Sequence, residues 1–115
     1  MPRFLLIFRG GAVVNASMLP VDRLAQVERW AAWTRELQSR GHHVPGGVPL
    51  ATEGARIDGA RRLVTPGAPA DRELVTGTYI VSATSLQAAT ELAAGCPILE
   101  VDGSVEVRPV LERPA

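Results

Sequence analysis

The chain has 115 residues, with twelve arginines and no lysine set against twelve acidic residues, two histidines and one cysteine. That length holds one domain, residues 1–115, small enough that covering apolar surface by self-association is a common solution. Zero net charge excludes the cationic field expected of a nucleic-acid or anionic-membrane partner, and the absence of lysine excludes lysine Schiff-base chemistry.

Phe4 to Phe8 is an apolar run between Arg3 and Arg9, too short for a signal-peptide core or a membrane span, and it predicts a buried strand over residues 3 to 9. Lone Cys96 cannot close an internal disulfide, so nothing calls for an oxidising compartment and a cytoplasmic location is expected. Gly10-Gly11 opens a loop through about Leu19. Pro20 suits a first helical turn, Asp22 meets the positive helix end, Arg35 and Arg40 approach the negative end, and Gly41 stops a helix over 20 to 40. Leu24, Val27, Trp30, Ala31, Thr34 and Leu37 fall on one stripe of that helix, with Trp33 at its edge, where it either packs or covers a cleft or dimer seam. Residues 42 to 50, broken by Pro45, Gly46, Gly47 and Pro49, suit a bent or edge strand.

Asp58-Gly59 lies between two short extended runs and predicts a tight hairpin turn. A loop containing Pro66, Gly67 and Pro69 follows, then a strand from about Val75 to Ala83. Thr84 with Gln87 has capping-box spacing for a helix over 85 to 94, with Leu86, Ala89, Leu92 and Ala93 as its apolar face. Residues 104 to 110 form the last strand, and a tail over 112 to 115 is loose. With the hairpin set aside, the order strand, helix, strand, strand, helix, strand defines an α+β ferredoxin-like split βαβ fold with both helices on one sheet face. The other face is then bare. The strand at Phe4 to Phe8 wants burial on both faces, and each exposed side chain would cost about 1.5 to 3 kcal/mol, so a partner sheet is the expected cover.

Gly77-Thr78-Tyr79-Ile80-Val81, Gly95-Cys96-Pro97 and Val105-Glu106-Val107-Arg108-Pro109-Val110 resemble the Gly-Phe-Tyr strand, Cys-Pro helix end and terminal strand of the YCII-related, or DGPF, family. The resemblance implies a dimeric α+β barrel in which two sheets pack face to face. Thr65 to Asp71 resembles the segment for which the family is named, Thr-Asp-Gly-Pro-Phe-Ala-Glu. Here Pro66 replaces the aspartate, Pro69 replaces the phenylalanine, and Asp71 is a shortened glutamate. Gly46-Gly47-Val48-Pro49-Leu50 likewise resembles a Gly-Gly-Glu-Pro-Leu pattern with Val48 at the polar position. Some relatives are implied to use a His/Asp dyad with its histidine early in the first helix, and helix 20 to 40 has none.

The two imidazoles, His42 and His43, are adjacent on extended backbone and so point to opposite faces. Either is a candidate base, or a surface residue beside a partly buried strand residue. Tyr79 either presents its hydroxyl to a cleft or packs at its rim. Glu106 and Arg108 share one strand face, where Arg108 binds an anion with Glu106 as its partner if that face lies between sheets, and the two form a surface pair if it does not. The family resemblance implies that Cys96 is a packing position, and the lack of ligand spacing predicts no metal. No nucleotide, flavin or hydrolase motif occurs, and no cofactor is expected.

The leading expectation is a homodimer, without nucleic-acid or membrane partners, that binds a small organic molecule or serves as an accessory protein and lacks the usual acid/base carboxylate. The alternative is a cofactor-free lyase or isomerase in which His42, His43, Asp71, Tyr79 or Arg108 moves a proton. A regulatory or interaction domain is a third. An apolar cavity with two or more convergent titratable groups would favour the enzyme.

Overall fold

Alternating burial along the first strand separates its two faces: Phe4, Leu6 and Phe8 are buried, while Leu5 and Ile7 remain half-exposed. The computed structural model describes residues 1–59, 63–66 and 72–112. In chain order these form β1 (Arg3–Gly10), a 3₁₀ turn (Ala12–Val14), α1 (Pro20–Ser39), β2 (His43–Val44), β3 (Ala55–Asp58), β4 (Leu63–Pro66), β5 (Val75–Ser82), α2 (Leu86–Ala93), a second 3₁₀ turn (Pro97–Val101) and β6 (Gly103–Pro109). β2, β5, β1 and β6 lie side by side in that order in one antiparallel sheet, and β3 pairs with β4 in a separate hairpin. This is the split βαβ order read from the sequence, with β1 central and β3-β4 as the insertion.

Register fixes which side chains share a face, because directly paired residues of antiparallel strands point the same way. Leu6 pairs with Tyr79 and Val107, so these face the helices together with Phe4, Phe8 and Val81. Leu5 pairs with Ile80 and Arg108, and Ile7 with Thr78 and Glu106, so these occupy the opposite face with Val44 of β2. The core lies on the helix side, where Phe4, Leu6 and Phe8 meet Trp33 and Leu37 of α1, Ala89 and Ala93 of α2, and Cys96 and Ile98.

Local rules explain where the elements stop. At the end of α1 the Gly41 N–H donates to the Gln38 carbonyl (3.1 Å) and the His42 N–H to Leu37 (2.9 Å), with Gly41 at φ 77°, a Schellman closure that turns the chain into β2. β2 ends at Pro45, which has no N–H to continue the ladder. The chain then rejoins the edge of β5: Thr78 N–H donates to the Val48 carbonyl (2.9 Å) and Leu50 N–H to Thr76 (3.0 Å).

Four local expectations need correction. The buried stripe of α1 runs through Gln26, Trp33 and Leu37 with Trp30 half-buried, while Leu24 and Val27 are 61% and 63% exposed. The aromatic rings turned the helix: Trp30 and Trp33 seek the sheet, and the aliphatic residues beside them rotate out. The cap of α2 is Ser85, whose hydroxyl accepts the Ala88 N–H at 3.0 Å, in place of Thr84. Asp58 pairs with Leu63 and so lies in the ladder of the hairpin, not in a two-residue turn. Glu112, assigned to the loose tail, takes a bidentate pair of hydrogen bonds from Arg3 (2.9 and 3.1 Å), and the Val110 N–H donates to the Arg3 carbonyl.

Candidate ligand cavity

Aromatic residues from three elements converge on the helix side of the sheet. Phe8 of β1 meets Trp30 of α1 and Tyr79 of β5 edge to face, at centroid separations of 5.0 and 5.6 Å, and Trp33 stacks on Tyr79 at 5.6 Å. Rings this large cannot close flush against a sheet. Beside them a cavity of about 650 Å³ opens between α1, the Ala12–Val14 turn, the Val48-Pro49 segment and the β1–β5 pair. Its walls are largely apolar, with Phe8, Val27, Trp30, Val48, Tyr79 and Ile98 among them. That volume suits a small organic molecule.

The rim is held by close backbone approach. A Cβ at Gly47 would sit 2.6 Å from Tyr79 Cα and closer still to the Thr78 carbonyl, so only glycine lets this segment lie on β5 and present Val48 and Pro49 to the cavity. On the opposite side Arg23 donates to the Ala12 carbonyl (2.7 Å) and to the Asn15 carbonyl, tying the 3₁₀ turn to α1. Its guanidinium is engaged in holding the wall.

Among the described lining residues, Arg23 and Tyr79 are the titratable ones. The Thr34 hydroxyl donates to the Trp30 carbonyl (2.8 Å), so in the 2.8 Å contact between Thr34 Oγ1 and Tyr79 Oη the phenol is the donor. Its proton is committed to structure. Gln26, 3% exposed, also lies in the wall. Its Oε1 accepts the Trp30 indole N–H at 2.9 Å, and its Nε2 has no partner among the described residues.

The candidates from the sequence fall in several places. Tyr79 lines the large cavity. Trp33 and His42 line a second cleft of about 370 Å³ between α1 and α2, with Glu36, Arg40 and Glu91. His42 Nδ1–H donates to the Ser82 carbonyl at 2.9 Å, because a carbonyl can only accept. His43 packs edge to face on Tyr79 at 5.7 Å. Glu106 and Arg108 lie on the other face of the sheet, where Glu106 takes a hydrogen bond from Arg9 at 2.7 Å and Arg108 stands 3.9 Å away. Asp71 lies outside the described residues, as does most of the Thr65 to Asp71 segment. Sequence reasoning missed Gln26, although its spacing of four, seven and eleven residues from Trp30, Trp33 and Leu37 is that of one helix face.

Cys96 is buried, and loss of hydration pushes its thiol up to about 12, with the Ile98 backbone hydrogen bond opposing and Glu100 adding to the rise. It is a packing group. Among the described residues, no three His, Cys, Asp or Glu side chains gather as a metal site, and no helix is long and apolar enough to cross a membrane. A four-stranded antiparallel sheet carrying two helices and a cleft beneath the first defines the α+β architecture of the class. The YCII-related domain family matches residues 12–113, and the chain belongs to that family. No curated protein matches it significantly.

Proposed function

We propose that the protein is a homodimer that binds a small organic molecule in the cavity beneath α1, without an acid/base group of its own at that place. The supporting observation is the cavity itself: about 650 Å³ of largely apolar space in which Tyr79 has its proton on Thr34 and Arg23 its guanidinium on backbone carbonyls. A site built to move a proton needs a group free to give or take one. The dimer reading rests on the half-exposed Leu5, Ile7, Val44 and Ile80, which share the sheet face that no helix covers among the described residues.

Native mass spectrometry of the purified protein, followed by identification of any released small molecule, tests the binding reading. The expected result is a stoichiometric apolar compound, lost from Val27→Trp, which places a large ring at the exposed helical edge of the cavity. A protein that retains the same compound after that substitution would contradict the location. The alternative, a cofactor-free lyase or isomerase, is favoured by one observation: His42, in the smaller cleft with Glu36 and Glu91, has Nε2 left over from its bond to Ser82. On the binding reading His42→Ala changes ligand affinity only modestly, whereas a catalytic base would show a loss of about 100-fold or more in turnover with folding unchanged.

A further inference from the structure

Trp33 is 8% exposed and stacks on Tyr79, yet its indole N–H donates to nothing among the described residues, whereas Trp30 gives its own N–H to Gln26. This donor is not sealed in the core as Gln26 Nε2 is. It opens on the cleft between α1 and α2 at Gly95: a Cβ built on that glycine would stand 3.5 Å from Trp33 Nε1 and 3.8 Å from Cδ1, and both residues line the cleft. An indole nitrogen can only donate, so the edge that Gly95 leaves uncovered calls for an acceptor. The other walls are complementary to one kind of molecule. Leu37, Ala83, Ala88 and Leu92 supply apolar surface, and Glu36 and Arg40, 3.6 Å apart, offset each other's charge. Glu91 is then an unbalanced carboxylate, without a partner among the described residues.

We infer that this cleft binds a small organic amine that carries an uncharged carbonyl, an amino amide in class, with its oxygen on the Trp33 indole N–H and its ammonium towards Glu91. A carboxylate ligand would meet two carboxylates and a single guanidinium that already faces Glu36, so the local field opposes it. A hydrocarbon would leave both the indole donor and Glu91 unused. The carbonyl brings a lone pair without a charge, the ammonium answers the surplus carboxylate, and the apolar walls take the rest of the molecule. At about 370 Å³ the cleft has room for a ligand of that size. The site is separate from the cavity beneath α1, so the binding reading given for that cavity stands or falls independently.

The test titrates three matched compounds into isotope-labelled wild type at low ionic strength: leucinamide, isocaproamide, which lacks its amine, and isoamylamine, which lacks its carbonyl. Nuclear magnetic resonance follows the two indole N–H signals, told apart by their through-space contacts to Gln26 and Gly95. Leucinamide should move the Trp33 signal downfield and bind about three- to tenfold more tightly than either truncated compound, the range expected of one net hydrogen bond. Two variants divide that margin. Glu91→Gln, at an exposed helix position, should erase the advantage over isocaproamide and keep the indole shift. Gly95→Ala, whose methyl has ordinary contact distance to its neighbours and stands over Nε1, should erase the advantage over isoamylamine with the fold intact. Failure of leucinamide to bind, equal affinities for the three compounds, or binding that leaves the Trp33 signal where it was or moves that of Trp30 instead would each overturn the inference.

Discussion

At the residue scale Cys96 shows how burial sets chemistry. Its thiol is 2% exposed, and its pKa rises from 9.0 to about 12 because the thiolate would lose its water. Native protein should therefore resist a thiol-specific disulfide reagent near neutral pH and react only on unfolding. The same shift gives a pH dependence with a definite sign. The unfolded chain releases this proton above 9.0 while the folded chain holds it, so the contribution is complete below 9.0 and is lost as pH rises towards about 12. In urea unfolding, the advantage of wild type over Cys96→Ala should shrink across that window by roughly 1.4 kcal/mol per pH unit; a constant difference would refute it. Cys96 was legible as a packing position through the resemblance of Gly95-Cys96-Pro97 to the helix end of the family. Gln26 was not, because a lone glutamine in an amphipathic helix reads as solvent-facing until the aromatic positions are known. The Trp30 and Trp33 roles are exchanged for the same reason: both fall near the stripe, and only the sheet decides that Trp33 is the more buried.

At the scale of elements, propensity and punctuation carried most of the fold. Gly41 and the apolar run at Phe4 to Phe8 act locally, and the helix and strand they bound stand within a residue of their predicted ends, whereas the edge strand read over 42 to 50 is cut to His43–Val44 by Pro45, with a single further bridge at Pro49. What failed depended on partners. Which side of α1 faces inward is decided by ring packing on β1 and β5, and which hydroxyl caps α2 is decided by one N–H direction. Ser85→Ala should lower stability by about 1 kcal/mol through loss of the bond to the Ala88 N–H, and Thr84→Ala should change it little. Gly47→Ala makes a sharper test of the rim. Backbone atoms of Thr78 and Tyr79 occupy the space of the new methyl, so the segment must lift from β5, at about 1 to 3 kcal/mol and with loss of ligand affinity. Thermal unfolding measures the first effect, and native mass spectrometry of the retained small molecule measures the second.

At the scale of the molecule, the two faces of the sheet have different fates, and β1 tells them apart one residue at a time. Leu6 is fully buried against the helices, whereas Leu5, one residue before it, lies beside Ile80 and Arg108 on the face opposite α1 and α2. On that face a half-exposed apolar centre of Leu5, Ile7, Val44 and Ile80 is bordered by Arg9, Glu106 and Arg108, two positive charges around one negative. Such a border cannot sit in the middle of a self-associating patch, but it suits a rim, where each guanidinium keeps some water and the carboxylate. The homodimer reading then makes opposite predictions for adjacent leucines. Leu5→Asp puts a charge in the proposed sheet-to-sheet seam and should yield a folded monomer, because the helix-side core is untouched. Leu6→Asp buries an unpaired carboxylate under α1 and α2 and should give unfolded or insoluble protein at any concentration. Light scattering and far-ultraviolet circular dichroism, measured together, separate the two outcomes. A wild-type chain that is monomeric at micromolar concentration, or a Leu5→Asp variant that stays dimeric, would remove the sheet face from the interface and return Glu106 and Arg108 to an ordinary surface.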